Sequence, residues 1–288
     1  MRFVGHGQVP RAAALCLLLT VSISAVADES LGEDPDQRAL KSAAVSRLAH
    51  SLDPAVPVAV GQVVVRQASL LQARQLLAGY GQRMGLDAGW NSSALEWQQA
   101  EEALTEQANA LIESEIDVPD WFYEVIERKT AKVLDAEEAD YIATHFTTPV
   151  GREQRILLQM RLVAEVLMAN YSFTGRIDHT VPGLQNDLQA LSTAYWNMEP
   201  FRTRANMTGP ESMKFAGNAA GLKFTRMLAI NGIEGLSTYI NDVAAQAVKS
   251  VDAAAPLIDK YAQQYQQRNM TSSNPRNMVD ENQQGQQQ

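Results

Sequence analysis

Apolar side chains recur every third or fourth residue through most of this chain, and that periodicity restricts its fold more than any other feature. A spacing near 3.6 lines one stripe of a helix, whereas a half-buried strand alternates with a period of two. Leu40, Ala44, Leu48 and Leu52 follow a helix start at Asp34-Pro35, a capping carboxylate with proline at the first helical position, and Pro54 and Pro57 mark its expected end. A second helix is predicted from about Val58 to Met84, with Val63, Leu70, Leu77 and Met84 on one face and Gly79, Gly81 and Gly85 weakening its end. The most strand-like stretch, Val63-Val64-Val65, sits inside this helical period.

Ser93 with Glu96 reads as a capping box for a third helix, whose buried stripe is Trp97, Ala100, Leu104, Ala108 and Leu111. A fourth starts near Pro119 and turns Phe122, Val125, Ile126 and Val133 inward. Asp135 and Glu138 form another cap-and-box pair, opening a short helix with Ala139, Ile142 and Phe146 inward. Thr148-Pro149 opens the next, with the stripe Leu157, Met160, Ala164, Leu167 and Tyr171 and an end at Gly175. A short helix bearing Leu184, Leu188, Leu191 and Tyr195 and a long connection over 196–210 follow. Met213, Ala216, Ala220, Met227 and Ile230, then Leu236, Ile240, Val243, Ala247, Val251 and Ala254, mark the C-terminal helices. Pro256 is expected to kink the last of these, which Ile258, Tyr261 and Tyr265 continue. The expectation is an all-α bundle of about eight or nine amphipathic helices in a domain over 28–270, one unit or two packed subdomains at 28–175 and 176–270. The tail over 271–288, rich in Asn, Gln and Ser, is expected to be disordered.

The first 27 residues read as a cleaved secretory signal. Arg2 and Arg11 supply the positive region, Leu15-Cys16-Leu17-Leu18-Leu19 the apolar run and Ala25-Val26-Ala27 the small–x–small site, so cleavage is expected after Ala27 and the mature protein in the periplasm. The apolar run is too short for a membrane span, which takes about 20 residues, and no later segment of the mature chain reads as one. A lipoprotein signal at Cys16 is disfavoured because Leu15 occupies the position before it, where a small residue is needed. Cys16 is the only cysteine, so the mature chain has no disulfide. The leader carries two of the 24 basic residues and none of the 33 acidic ones, so its removal deepens the net charge from −9 to −11. That charge opposes phosphate backbones and anionic lipid, and nucleic acid is not an expected partner.

Within 134–168 the acid pair Glu137-Glu138 is followed by Phe146, Thr148, Pro149, Gly151 and Arg152. This segment resembles the core of a secreted bacterial family known as domain of unknown function 2059, whose pattern is an acid-rich helix start, an aromatic, a small hydroxyl residue, proline, one variable residue, glycine and a basic residue. Thr147 stands where that family has a second aromatic, and Thr148 replaces its commoner serine. The stretch Trp90-Asn91 with Trp97 also looks like an extended version of the family. The resemblance implies an all-helical fold and a periplasmic address, and it implies no activity. Read locally, Thr148 caps a helix, Pro149 fits its first turn, Gly151 removes a side chain at a close approach and Phe146 plugs the corner.

Candidate chemistry is sparse. Glu138, Tyr141 and His145 share a helical face, so Glu138 and His145 are the candidate acid–base pair for a hydrolase. His50, His145 and His179 include no His-x-x-x-His, and Asp178-His179 meeting His145 is a poor zinc set, so neither metal nor cofactor is expected. No Gly-x-Ser-x-Gly surrounds Ser237, and no strand precedes Gly217 and Gly221 to make a phosphate loop. Trp90, Trp97 and Trp196 are candidate groove aromatics, and Arg202 and Arg204 a candidate anion site. The expected function is non-enzymatic recognition of another envelope protein or component through a helical surface. The alternatives are an interhelical cavity for a small apolar molecule or lipid, and the Glu138/His145 hydrolase.

Overall fold

A computed structural model describes residues 34–156, 158, 214–215 and 217–272, and every regular element among them is helical. Residues 1–33, most of 157–213, residue 216 and the residues after 272 lie outside the described residues, and with them the predicted helices over 157–213 and most of the tail. Helix α1 (Pro35–His50) is capped as expected, with Asp34 accepting the Asp36 N–H at 3.1 Å and Pro35 in its first turn. Helix α2 (Ala55–Met84) runs 30 residues to Gly85, which adopts the left-handed conformation. Next come α3 (Leu95–Leu111), α4 (Asp120–Thr130), α5 (Ala136–His145) and α6, described over 149–156. After the gap, α7 (Ala219–Met227), α8 (Ile233–Ala254) and α9 (Ile258–Ser272) complete the described part.

The first half of α2 is apolar on nearly all sides, and Val56, Val60, Val63, Val64 and Val65 are all buried. Such a helix is stable only when surrounded. Helix α3 covers one flank and α8 another; α8 also packs against α3 and α4. Helices α4 and α5 pack on α1, α7 on α5 and α9 on α3. Residues from α1 through α9 thus join one hydrophobic core, with Leu48, Leu77, Leu104, Phe122, Ile142, Phe224 and Ile240 wholly enclosed. That core draws on both sides of residue 175. Among the described residues no single helix is long and apolar enough to cross a membrane.

Several expected details change. Pro57 lies in the first turn of α2, where a missing N–H has no intrahelical partner to lose. The capping box at Ser93 and Glu96 does not form. Ser93 instead gives its N–H (2.8 Å) and hydroxyl (2.6 Å) to the Asn91 side chain, α3 starts after Ala94, and Glu96 is buried beside Arg268 at 3.1 Å. Leu40 (65% exposed), in the second turn of α1, and Met84 (56%), the last residue of α2, face away from the core. Val133 is only half-buried, because α4 ends at Thr130 and Leu134 takes the inward place.

Two π-helical turns account for other departures. Each shifts the hydrogen bonds from i−4 to i−5 and so rotates the stripe that follows. In the turn Ile112–Ile116 the Asp117 N–H reaches the Ile112 carbonyl at 2.9 Å, and Ile112 and Ile116 are buried in place of Leu111. The turn Leu228–Gly232 leaves Ile230 65% exposed while Met227 and Leu228 are buried. Pro256 does break the last helix, through a short 3-10 turn over Ala255–Leu257. Thr271 and Ser272, assigned to the tail from the sequence, form the end of α9.

Candidate functional site

Asp135 and Glu138 cap α5 reciprocally: Asp135 accepts the Glu138 N–H at 2.8 Å, and Glu138 accepts that of Asp135 at 3.2 Å. The other Glu138 oxygen pairs with Lys223 of α7 at 2.5 Å. His145 lies seven residues on, about 10 Å along the axis. Its Nε2 meets Gln154 of α6 at 2.5 Å and its ring stacks on Phe215 at 4.5 Å. The two candidate residues therefore face different partners, and Tyr141 between them is exposed. His50 is likewise engaged, stacked on Tyr123 at 4.1 Å with Nδ1 2.9 Å from the Ser46 carbonyl. Among the described residues no three His, Cys, Asp or Glu side chains gather as a metal site.

The segment 146–152 forms a tight corner between α5 and α6. The Thr148 hydroxyl donates to the His145 carbonyl at 2.7 Å and accepts the Gly151 N–H at 3.0 Å. Pro149 opens α6. A side chain on Gly151 would collide with the His145 carbonyl, so the corner closes only with glycine. Phe146 is buried between Phe215 and Phe224, both at 5.9 Å, while Arg152 is exposed. Phe146, Thr148, Pro149 and Gly151 thus each have a local structural task.

Trp90 and Trp97 do come together, their rings edge to face at 5.5 Å, with Tyr265 of α9 at 5.4 Å from Trp90. Trp90 packs directly over Gly81, where any side chain would strike its ring, and donates its indole N–H to the Leu77 carbonyl at 3.0 Å. The Tyr265 hydroxyl donates to Asp87, which holds the Asp87 carboxyl below its ordinary range. Trp196, Arg202 and Arg204 lie outside the described residues.

Trp97 lines a groove of about 650 Å³ between α2 and α3. Two bonds cross it: Arg66 to Asn109 at 2.9 Å and Arg74 to Glu101 at 2.8 Å. The partners are eight residues apart on each helix and run in opposite order, so α2 and α3 are antiparallel here with about 12 Å between the crossings. Leu70 and Thr105 face the stretch between them.

Adjoining this groove, and sharing Glu102 and Asn109 with it, a second groove of about 810 Å³ lies between α3 and α9. Glu102, Glu106 and Glu113 line its α3 side with Ala103 and Ala110 between them, and Lys260, Tyr261 and Gln264 line the α9 side. Trp97, a candidate groove aromatic from the sequence, lines the first groove, whereas no motif in the sequence pointed to the second. The signal for the second was present: between Arg83 and Arg128 the chain has eleven acidic residues and no Lys, Arg or His. Of these acids Glu102, Glu106, Glu113, Glu115, Asp117, Asp120 and Glu124 are exposed. Comparison with known proteins returns no match for this chain, whether to a protein family, a curated protein or a solved structure.

Proposed function

We propose that this is a periplasmic recognition protein without catalytic chemistry of its own, and that α3 presents its binding face to a lysine- or arginine-rich segment of another envelope protein. The observation that carries this reading is the groove between α3 and α9, with Glu102, Glu106 and Glu113 along its α3 wall and Ala103 and Ala110 between them. The aliphatic stem of Lys or Arg lies well on alanine while its charged head reaches a carboxylate in water. Glu102 to Glu113 span eleven residues, about 16 Å of helix, enough to engage several cations at once. Single exposed ion pairs contribute about 0–1 kcal/mol, so binding here depends on their number. The acidic field also steers a cationic partner and weakens with salt. The leader over 1–27 and the resemblance of 134–168 to a secreted helical family support the periplasmic address.

The test is fluorescence anisotropy of a labelled lysine-rich peptide with the full mature chain. The triple variant Glu102→Lys, Glu106→Lys, Glu113→Lys is expected to lose affinity tenfold or more, by about 1.4 kcal/mol. Reversing Glu124, Glu137 and Glu234, which are exposed elsewhere, matches the change in net charge and is expected to lose far less. Equal losses in the two variants would reduce the effect to net charge and overturn the docking face.

A further inference from the structure

We propose that the groove between α2 and α3 is a binding site for a small zwitterion, an amino acid or a short peptide, whose carboxylate accepts the indole N–H of Trp97. This groove adjoins the acidic one, sharing Glu102 and Asn109 with it, but the proposal stands on a different observation. Trp97 is 6% exposed, and its Nε1 is buried without an acceptor. Buried donors are ordinarily satisfied, because leaving one unpaired is expensive. Trp90 donates to Leu77 at 3.0 Å and Trp121 to Ile116 at 3.1 Å, so Trp97 is the one tryptophan among the described residues whose N–H lacks an acceptor. It also lines a groove large enough for a small molecule.

The lining fixes the ligand's chemistry. Cations occur on the α2 wall, as Arg66 and Arg74, and carboxylates on the α3 wall, as Glu101 and Glu102. The two charges on each wall cancel across the groove, and the mature chain as a whole is strongly acidic, so a simple anion gains nothing by entering. A molecule with both signs places its carboxylate toward Arg74 and Trp97 and its ammonium toward Glu102, and remains neutral overall. Leu70 supplies an apolar surface for its side chain. The crossing bonds Arg66–Asn109 and Arg74–Glu101 hold the walls at fixed spacing, so the site is formed in advance and little ordering is needed on binding.

The experiment uses the full mature chain, with thermal unfolding and intrinsic tryptophan fluorescence measured against each L-amino acid and the dipeptide Ala-Ala, and against acetate and methylamine as the separate halves. At least one zwitterion is expected to raise the unfolding midpoint by several degrees when saturating, while acetate and methylamine leave it unchanged. Trp97→Phe keeps the ring and removes the donor, and should weaken that zwitterion about five- to tenfold, as loss of one buried hydrogen bond does. Ser92→Trp at the exposed rim obstructs the mouth and is expected to abolish binding, which keeps the test open if Trp97→Phe fails to fold. No response to any zwitterion, acetate binding as tightly as a zwitterion, or undiminished binding in either folded variant would overturn the proposal. The acidic groove is untouched by both substitutions, so peptide binding there reports on the recognition reading separately.

Discussion

Tyr239 of α8 lies flat on Trp121, rings 4.8 Å apart and 1° from parallel, with its hydroxyl 3.2 Å from both the backbone and the side-chain oxygens of Glu115. Burial foremost, then the Glu115 charge, the hydrogen bond to it and the Glu124 charge, together push its pKa up to about 12. The phenol is thus harder to ionise in the folded chain than in the unfolded chain, where it titrates near 10. Its contribution to stability is complete below about pH 10 and is lost as pH rises through the folded value, because across that window the unfolded state binds fewer protons. Urea midpoints are therefore expected to fall between about pH 10 and pH 12, and Tyr239→Phe should make that fall shallower while retaining the stack on Trp121. An identical slope in wild type and variant would place the alkaline sensitivity on the other raised phenols, Tyr80, Tyr123 and Tyr265.

The corner from α5 into α6 shows which features of an element a sequence states outright. Asp135 with Glu138, and Thr148 with Pro149 and Gly151, each satisfy their geometry within four residues, so cap, first turn and close approach were all legible. Gly151→Ala would press a methyl group onto the His145 carbonyl, and a stability loss of about 1–3 kcal/mol is expected in urea unfolding. Thr148→Ala, which removes the cap on Gly151 and the hydroxyl's bond to the His145 carbonyl, should lose about 1 kcal/mol. Where partners lie far apart in sequence, legibility stopped. The spacing of Glu138 and His145 is a true helical spacing, but Lys223, Gln154 and Phe215 decide what those side chains do. The π turn Ile112–Ile116 leaves no mark in composition, so a continuous stripe through Leu111 was the natural reading. Trp90 and Trp97 were legible as aromatics near a helix start; that one N–H finds Leu77 and the other finds no acceptor depends on how α2 lies against α3. The acid run on α3 was visible in the sequence, but only the packing of α9 beside it makes that run a groove.

At the scale of the whole molecule, Cys16 is the lone cysteine, so the described residues between 34 and 272 are held by packing without a disulfide. The decisive contact joins segments far apart in sequence. Leu236, Ile240, Val243 and Val251 of α8 are buried, and α8 lies against α2 and α3. Each such side chain contributes about 1.5–3 kcal/mol on burial, so these four are worth roughly 6–12 kcal/mol. That is comparable to the entire stability of a typical domain, about 5–15 kcal/mol. A fragment ending at residue 175 would expose the α2 surface on which Gly61 and Ile116 meet Ile240, and a fragment beginning at 176 would expose the apolar face of α8. Fragments 28–175 and 176–270 are accordingly expected to show no cooperative thermal transition alone and to regain one when mixed, with helical circular dichroism rising on mixing. A sharp transition in 28–175 by itself would mean that α8 docks on a core already complete, and that two subdomains meet where a single one is expected.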